Sequence, residues 1–151
     1  MTDRNTMAVG NIAKAYLREI RSAEAKIRQK EEEIRLLRES AACIKGQQAD
    51  SEKVQTSPDG SGFTRMIDKA ADLEAELAGE IESLNEMRHE RIAQIQELEP
   101  QYSDLLFQRY VLGRDLLYIS EYLGRGYGWI RQMHGQALET FRKKFLENGK
   151  N

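Results

Sequence analysis

The stretch that decides the fold spans residues 114–145 and reads RDLLYISEYLGRGYGWIRQMHGQALETFRKKF. Three apolar residues share one helical face in its first part: Leu116, Ile119 and Leu123. Gly124 is expected to end this first helix, because glycine enters the left-handed C-cap conformation without strain. A second apolar stripe predicts one longer helix that begins near Tyr127 or Gly128. Its members are Ile130, Met133, Ala137, Leu138 and Phe141.

The charge of this stretch separates it from an ordinary pair of packed helices. From Arg125 to Lys144, five basic residues stand against one acidic residue, Glu139. A short amphipathic helix, a glycine turn and a longer helix with basic positions are typical of the helix-turn-helix motif. The stretch is therefore predicted to bind double-stranded DNA.

Several short segments resemble region 4, the last DNA-binding region of sigma-70-type factors. Ile130-Arg131-Gln132-Met133, followed by Ala137-Leu138, resembles its core. Upstream, the segment that leads into the motif is similar in Leu105, Arg109-Tyr110 and Gly113.

Segments 54–58 and 133–138 are also similar to small phage and prophage proteins of Gram-positive bacteria. Many of those proteins have no known function, and some are related to late-gene regulators. The resemblance covers roughly residues 54–145, and it implies a phage or prophage transcriptional regulator with a sigma-region-4-like domain.

The candidate DNA contacts lie at the two ends of the second motif helix. Its start presents the candidate base contacts Tyr127, Arg131, Gln132 and Gln136. Arginine pairs bidentately with guanine and glutamine with adenine, each worth about 1–3 kcal/mol of discrimination. The candidate phosphate contacts are Arg125, Arg142, Lys143 and Lys144, of which the last three also suit a helix C-terminus that favours cations. Tyr127-Gly128 stand where sigma region 4 has charged base-reading residues, so its promoter specificity is not carried over.

The remaining sequence predicts an all-α protein, in which a coiled-coil-like antiparallel hairpin precedes a three-helix helix-turn-helix domain. Heptad spacing marks one helix over about 11–45 and a second over about 63–98. One antiparallel register aligns both apolar seams, and it places Tyr16 opposite Ile95 and Ile20 opposite Arg91. In that register Arg88 and Arg91 are expected to reach Glu24 and Glu19.

Turn signals and charge divide the chain further. We expect a flexible N-terminus at 1–10, a hairpin at 11–99 with a linker at 46–62, a helix-turn-helix domain at 100–146 and a tail at 147–151. Pro100 supports the main boundary, since proline is tolerated only in the first helical turn. The formal charge of −2 averages unlike parts, and the basic first helix should pair with the acidic second one.

The sequence argues against several other classes of protein. No segment has the ~20 apolar residues of a membrane helix, and residues 1–20 lack the apolar core of a secretory signal, so we expect neither. The single cysteine, Cys43, fits a reducing bacterial cytoplasm and is expected to be buried. No pattern for an enzyme, cofactor or metal site is present, and His134 is expected to have a structural or a solvent-facing role.

Two other functions remain open. The chain could be a small terminase subunit that binds viral DNA as a ring oligomer. It could also be a protein-interaction module that binds RNA polymerase. In the regulator, the hairpin would serve self-association as a homodimer or contact with a partner such as RNA polymerase.

Overall fold

The computed structural model of the protein describes residues 3–50 and 61–147, and these form helices joined by short turns. The five α-helices are α1 (Asp3–Asp50), α2 (Ser61–Gln96), α3 (Pro100–Leu106), α4 (Leu116–Leu123) and α5 (Tyr127–Phe141). Single π-helical turns extend α3 and α5, over Phe107–Val111 and Arg142–Leu146. No strand occurs in the described residues, and the expected all-α fold, with long helices first and shorter ones after them, is confirmed.

The helices are longer than the sequence predicted at two places. α1 begins at Asp3, so residues 3–10 are helical rather than a flexible terminus, and α1 runs on through residues 46–50 of the predicted linker. Helix elongation needs only backbone hydrogen bonds four residues apart. A helix can therefore extend beyond the apolar stripe from which it was predicted. Residues 51–60 of that predicted linker lie outside the described residues.

The chain divides into two compact units, Glu24–Ser83 and Met1–Ala23 with Leu84–Asn151. In the first unit, α1 and α2 bury Ile27, Ile34, Ala41, Ala70 and Leu73. Lys30 forms ion pairs with Glu76 and Glu80, and the Arg38 Nε donates a 3.0 Å hydrogen bond to Glu74. These contacts run in opposite directions along the two helices, so the hairpin is antiparallel.

Two residues of this first unit differ from expectation. Ile81, placed in the seam by the heptad, is 37% exposed, and Cys43, expected to be buried, is exposed. Cys43 lies two residues beyond the seam residue Ala41, on the outward side of α1. Its alanine neighbours therefore did not indicate burial.

In the second unit, the predicted register is met to within one residue. Tyr16 donates a 2.9 Å hydrogen bond to Gln94, beside its predicted partner Ile95. Arg91 is buried, pairs with Glu19 at 2.8 Å and lies 4.0 Å from the centre of the Tyr16 ring. The expected Arg91–Glu19 pair is thereby confirmed.

The core of this second unit crosses the predicted boundary at residues 99 and 100. Its buried members are Ala13, Leu17, Ile95, Leu98, Leu106, Tyr110, Ala137, Leu138 and Phe141. Pro100 does start α3, after Glu99 in an extended conformation. Proline ends a helix because it lacks an N–H group, but it does not stop the flanking side chains from sharing a core. The base of the hairpin and the shorter helices are therefore packed as one body.

The helices of the predicted motif have the expected limits. The Asp115 carboxylate caps α4 by accepting from the Tyr118 N–H at 2.7 Å, and Gly124 ends it at φ 64°. α5 then begins at Tyr127. α3 and α4 both pack on α5, around a second buried cluster of Leu105, Ile119, Ile130 and Met133. This cluster fixes which side of α5 faces outward.

Candidate nucleic-acid interface

The start of α5 is exposed on the side opposite its buried stripe. Ile130 is fully buried and Met133 nearly so, which turns Arg131 and Gln132 toward solvent. Gly128 and Gly135 lie on the same exposed side and add no bulk. Another molecule can therefore approach the backbone of α5 closely at this point.

The predicted base contacts divide into two groups. Tyr127 is 48% exposed, and the Arg131 guanidinium lies 5.8 Å from the centre of its ring. No carboxylate of the described residues forms an ion pair with Arg131. Gln136 lies one turn further along α5, and its side-chain oxygen accepts a long hydrogen bond of 3.4 Å from Tyr102. Tyr127, Arg131 and Gln132 thus form one group, and Gln136 borders α3.

The predicted phosphate contacts also differ among themselves. Arg125 is exposed, and its guanidinium lies 4.9 Å from the centre of the Trp129 ring. Arg142 is mostly buried and bonded to Glu139 at 2.9 Å, and Lys143 lies 3.8 Å from the same carboxylate. Lys144 bonds to the Glu97 carbonyl at 3.1 Å and lies 3.7 Å from its carboxylate. Only Arg125 of the four is without a carboxylate partner in the described part of the chain.

His134 faces inward from the middle of α5. It is 9% exposed, and its Nε2 lies 2.8 Å from the Tyr110 hydroxyl. Burial is the main cause that lowers the pKa of His134 to about 4, with the nearby charges of Arg109, Lys14 and Arg18 acting in the same direction. Burial likewise raises the pKa of Tyr110 to about 12. Both side chains are therefore neutral at pH 7.

The same contacts reveal cations that the sequence analysis missed. Lys14 and Arg18 of α1 lie close enough to Arg109 for their charges to act on one another and on His134. The signal was present as a spacing of four residues in α1, which places Lys14 and Arg18 on one face.

Exposed apolar side chains lie beside α5 as well. Leu117, Tyr118 and Tyr122 of α4 are at least 46% exposed, and the Arg114 guanidinium lies 4.8 Å from the centre of the Tyr118 ring. Trp129 borders an open pocket of about 380 Å³ whose apolar lining includes Leu105, Leu123, Ile130 and Met133. Trp129 itself is 39% exposed at the rim of this pocket.

Two kinds of site are not found in the described ranges. No group of three histidine, cysteine or carboxylate side chains there is arranged to hold a metal ion. None of the helices in those ranges combines the length and apolar character needed to cross a membrane.

Comparisons with family models, curated proteins and solved structures give no match to this chain, so the resemblance to sigma region 4 stays a prediction.

Proposed function

We propose that this protein is a DNA-binding phage or prophage transcriptional regulator, in which the start of α5 enters the major groove. The observation that carries the proposal is the exposure of Arg131 and Gln132 on a helix whose opposite side is anchored by Ile130 and Met133. Neither exposed side chain has a hydrogen-bond or ion-pair partner in the described part of the chain. Both are therefore available to a base edge without first breaking an internal bond.

The surroundings of these two residues support the same use. Arg125 lies in the turn that precedes α5 and has no carboxylate partner among the described residues, which suits a phosphate contact. The glycine at position 128 lets a groove wall approach the helix. The hairpin is proposed to mediate self-association or contact with a partner protein.

The decisive experiment is selection of DNA from random duplex fragments by the purified protein at two salt concentrations. We expect an enriched sequence that is lost in the Arg131→Ala/Gln132→Ala variant, because those side chains would read the bases. The matched control is Arg28→Ala/Gln29→Ala, which removes the same two residue types from exposed positions of α1. Enrichment that survives the first variant, or no enrichment by the unaltered protein, would refute direct readout.

A second candidate, binding to RNA polymerase, is favoured by the exposed patch of Leu117, Tyr118 and Tyr122. Tyrosine is enriched where protein interfaces concentrate their binding energy. The Tyr118→Ala/Tyr122→Ala variant should then lose affinity for purified polymerase and keep its DNA selectivity.

Light scattering tests the alternative that the chain is a small terminase subunit. A terminase subunit would form a ring of eight or more copies, whereas a regulator is expected to be a monomer or dimer.

A further inference from the structure

A row of cations follows one face of α1 over residues 14–21. Lys14, Arg18 and Arg21 are spaced four and three residues apart, so they are neighbours on the helix surface. Ala13 and Leu17 of the same segment are fully buried in the shared core. Because these two side chains hold α1 in the core, the helix cannot rotate about its axis. The side of α1 that carries the row of cations is therefore fixed.

The row meets a second basic element, the segment that links α3 to α4. Arg21 packs so closely against Gly113 that a Cβ there would overlap its guanidinium. Four residues before Gly113, Arg109 donates a 3.2 Å hydrogen bond to the Arg114 carbonyl, which holds its side chain in place. Lys14, Arg18 and Arg109, here called the basic cluster, are thus brought together from distant parts of the sequence.

The basic cluster differs from the paired cations of the same unit, because it has no counter-ion among the described residues. Arg91, Arg142 and Lys144 each lie within 4 Å of a carboxylate. No member of the basic cluster has an ion pair with a described residue. Burial and then the charges of Arg18 and Arg109 lower the pKa of Lys14. Like charges held together without a counter-ion cost stability, and a bound anion removes that cost.

The basic cluster also lies near the middle of α5. All three of its members act on the ring of His134, and Arg131 lies one helical turn before His134 on α5. Arg131 and the basic cluster are therefore both close to His134.

We propose that Lys14, Arg18 and Arg109 form a second phosphate-binding surface, which holds the backbone of duplex DNA beside the groove that α5 enters. This inference rests on the proposed function, and it assigns the phosphate contacts chiefly to α1 and the α3–α4 segment. Duplex DNA fits because it presents a regular row of phosphates next to a groove. The paired cations at the end of α5, Arg142 to Lys144, contribute little by comparison.

The test is the salt dependence of duplex binding, measured by fluorescence anisotropy on a mixed-sequence 30-base-pair duplex. Each phosphate contact contributes about 0.9 to the slope of log affinity against log salt. The Lys14→Gln/Arg18→Gln variant should lower that slope by about 1.8, and adding Arg109→Gln should lower it by about 2.7. The double variant leaves Arg109 and its hydrogen bond intact, so it keeps the test valid if the triple variant folds poorly.

The control removes equal charge elsewhere, as Lys26→Gln/Arg28→Gln, two exposed positions of α1 in the other unit. A slope that falls equally in this control and in Lys14→Gln/Arg18→Gln would overturn the inference. An enriched sequence together with an unchanged slope would leave the proposed function standing and the basic cluster refuted. A lowered slope without any enriched sequence would support phosphate binding by the basic cluster and refute the proposed function.

Discussion

The two ends of α5 carry similar charge and use it differently. Near its start, Arg125 and Arg131 have no carboxylate partner within residues 3–50 and 61–147, and both lie over exposed aromatic rings. Past its end, Arg142, Lys143 and Lys144 all have acidic partners within 4 Å. A count of basic residues treats the two ends alike, whereas only the first end offers unneutralised charge to a ligand.

Burial follows the same division. At the far end, Phe141 is fully buried, with its ring centroid 5.8 Å from that of Tyr16 in α1. At the near end, Tyr127 and Trp129 are substantially exposed. One end of α5 therefore holds the unit together, and the other is available for binding, which is the arrangement expected of a site built on a rigid element.

The largest expected effect comes from removing the aromatic ring at the buried end. Phe141→Ala should lower the free energy of unfolding by about 3–5 kcal/mol, because it removes a large side chain from a closed core. The matched control at the other end, Tyr127→Ala, should change it by about 0.5 kcal/mol or less. Urea denaturation followed by circular dichroism measures both. Equal effects would show that the two ends of α5 are not distinguished by packing.

The next effect concerns His134, which lies between the two ends. Its pKa is about 4 in the folded protein and 6.5 ordinarily, so between those pH values the unfolded chain binds a proton that the folded one does not. Stability should therefore be unaffected above pH 6.5 and fall by up to about 3 kcal/mol on acidification to pH 4, at about 1.36 kcal/mol per pH unit.

Urea denaturation of the unaltered protein and of His134→Gln, from pH 7.5 to pH 4, isolates this contribution. Both chains share the same carboxylates and His89, so the difference between their curves belongs to His134. The stability gap at pH 7.5 should shrink or reverse at pH 4.5. Parallel curves would mean that His134 is accessible to protons in the folded protein.

A third effect compares arginines from the two ends in DNA binding. Arg131→Ala should weaken binding to the selected sequence by about 1–3 kcal/mol, since it removes a bidentate base contact. Arg142→Ala should weaken it by less than about 0.5 kcal/mol, because the guanidinium of Arg142 is already engaged by Glu139. Anisotropy titration at one fixed salt concentration measures both. A larger loss from Arg142→Ala would reverse the proposed assignment of the two ends.

The helices of this protein were largely predictable from the sequence, because apolar spacing, Pro100 and Gly124 act locally. The hairpin register was also predictable, since one alignment of the two heptads matched Tyr16 and Arg91 to their partners within one residue. The full length of α1 was not predictable, because backbone hydrogen bonds extend a helix without any apolar signal.

The candidate site was less predictable than the fold. Exposure of Arg131 and Gln132 followed from the apolar stripe of α5, and that part needed no tertiary information. The pairing of Lys144 with Glu97 and the approach of Lys14 to Arg109 join residues far apart in sequence. Such contacts depend on how the hairpin base packs on the shorter helices, which periodicity within a single helix does not encode.

The smallest effect concerns the basic cluster and runs in the opposite direction. Lys14→Gln should raise the free energy of unfolding by about 0.2–0.5 kcal/mol, because it relieves repulsion from Arg18 one turn away. Lys26→Gln, at an exposed position of the same helix, is the control and should leave stability unchanged. Urea denaturation at low salt measures both, and the gain should diminish as salt screens the repulsion. A loss of stability in Lys14→Gln would mean that Lys14 supports the fold, whereas a gain coupled to weaker DNA binding would identify a charge retained for its ligand.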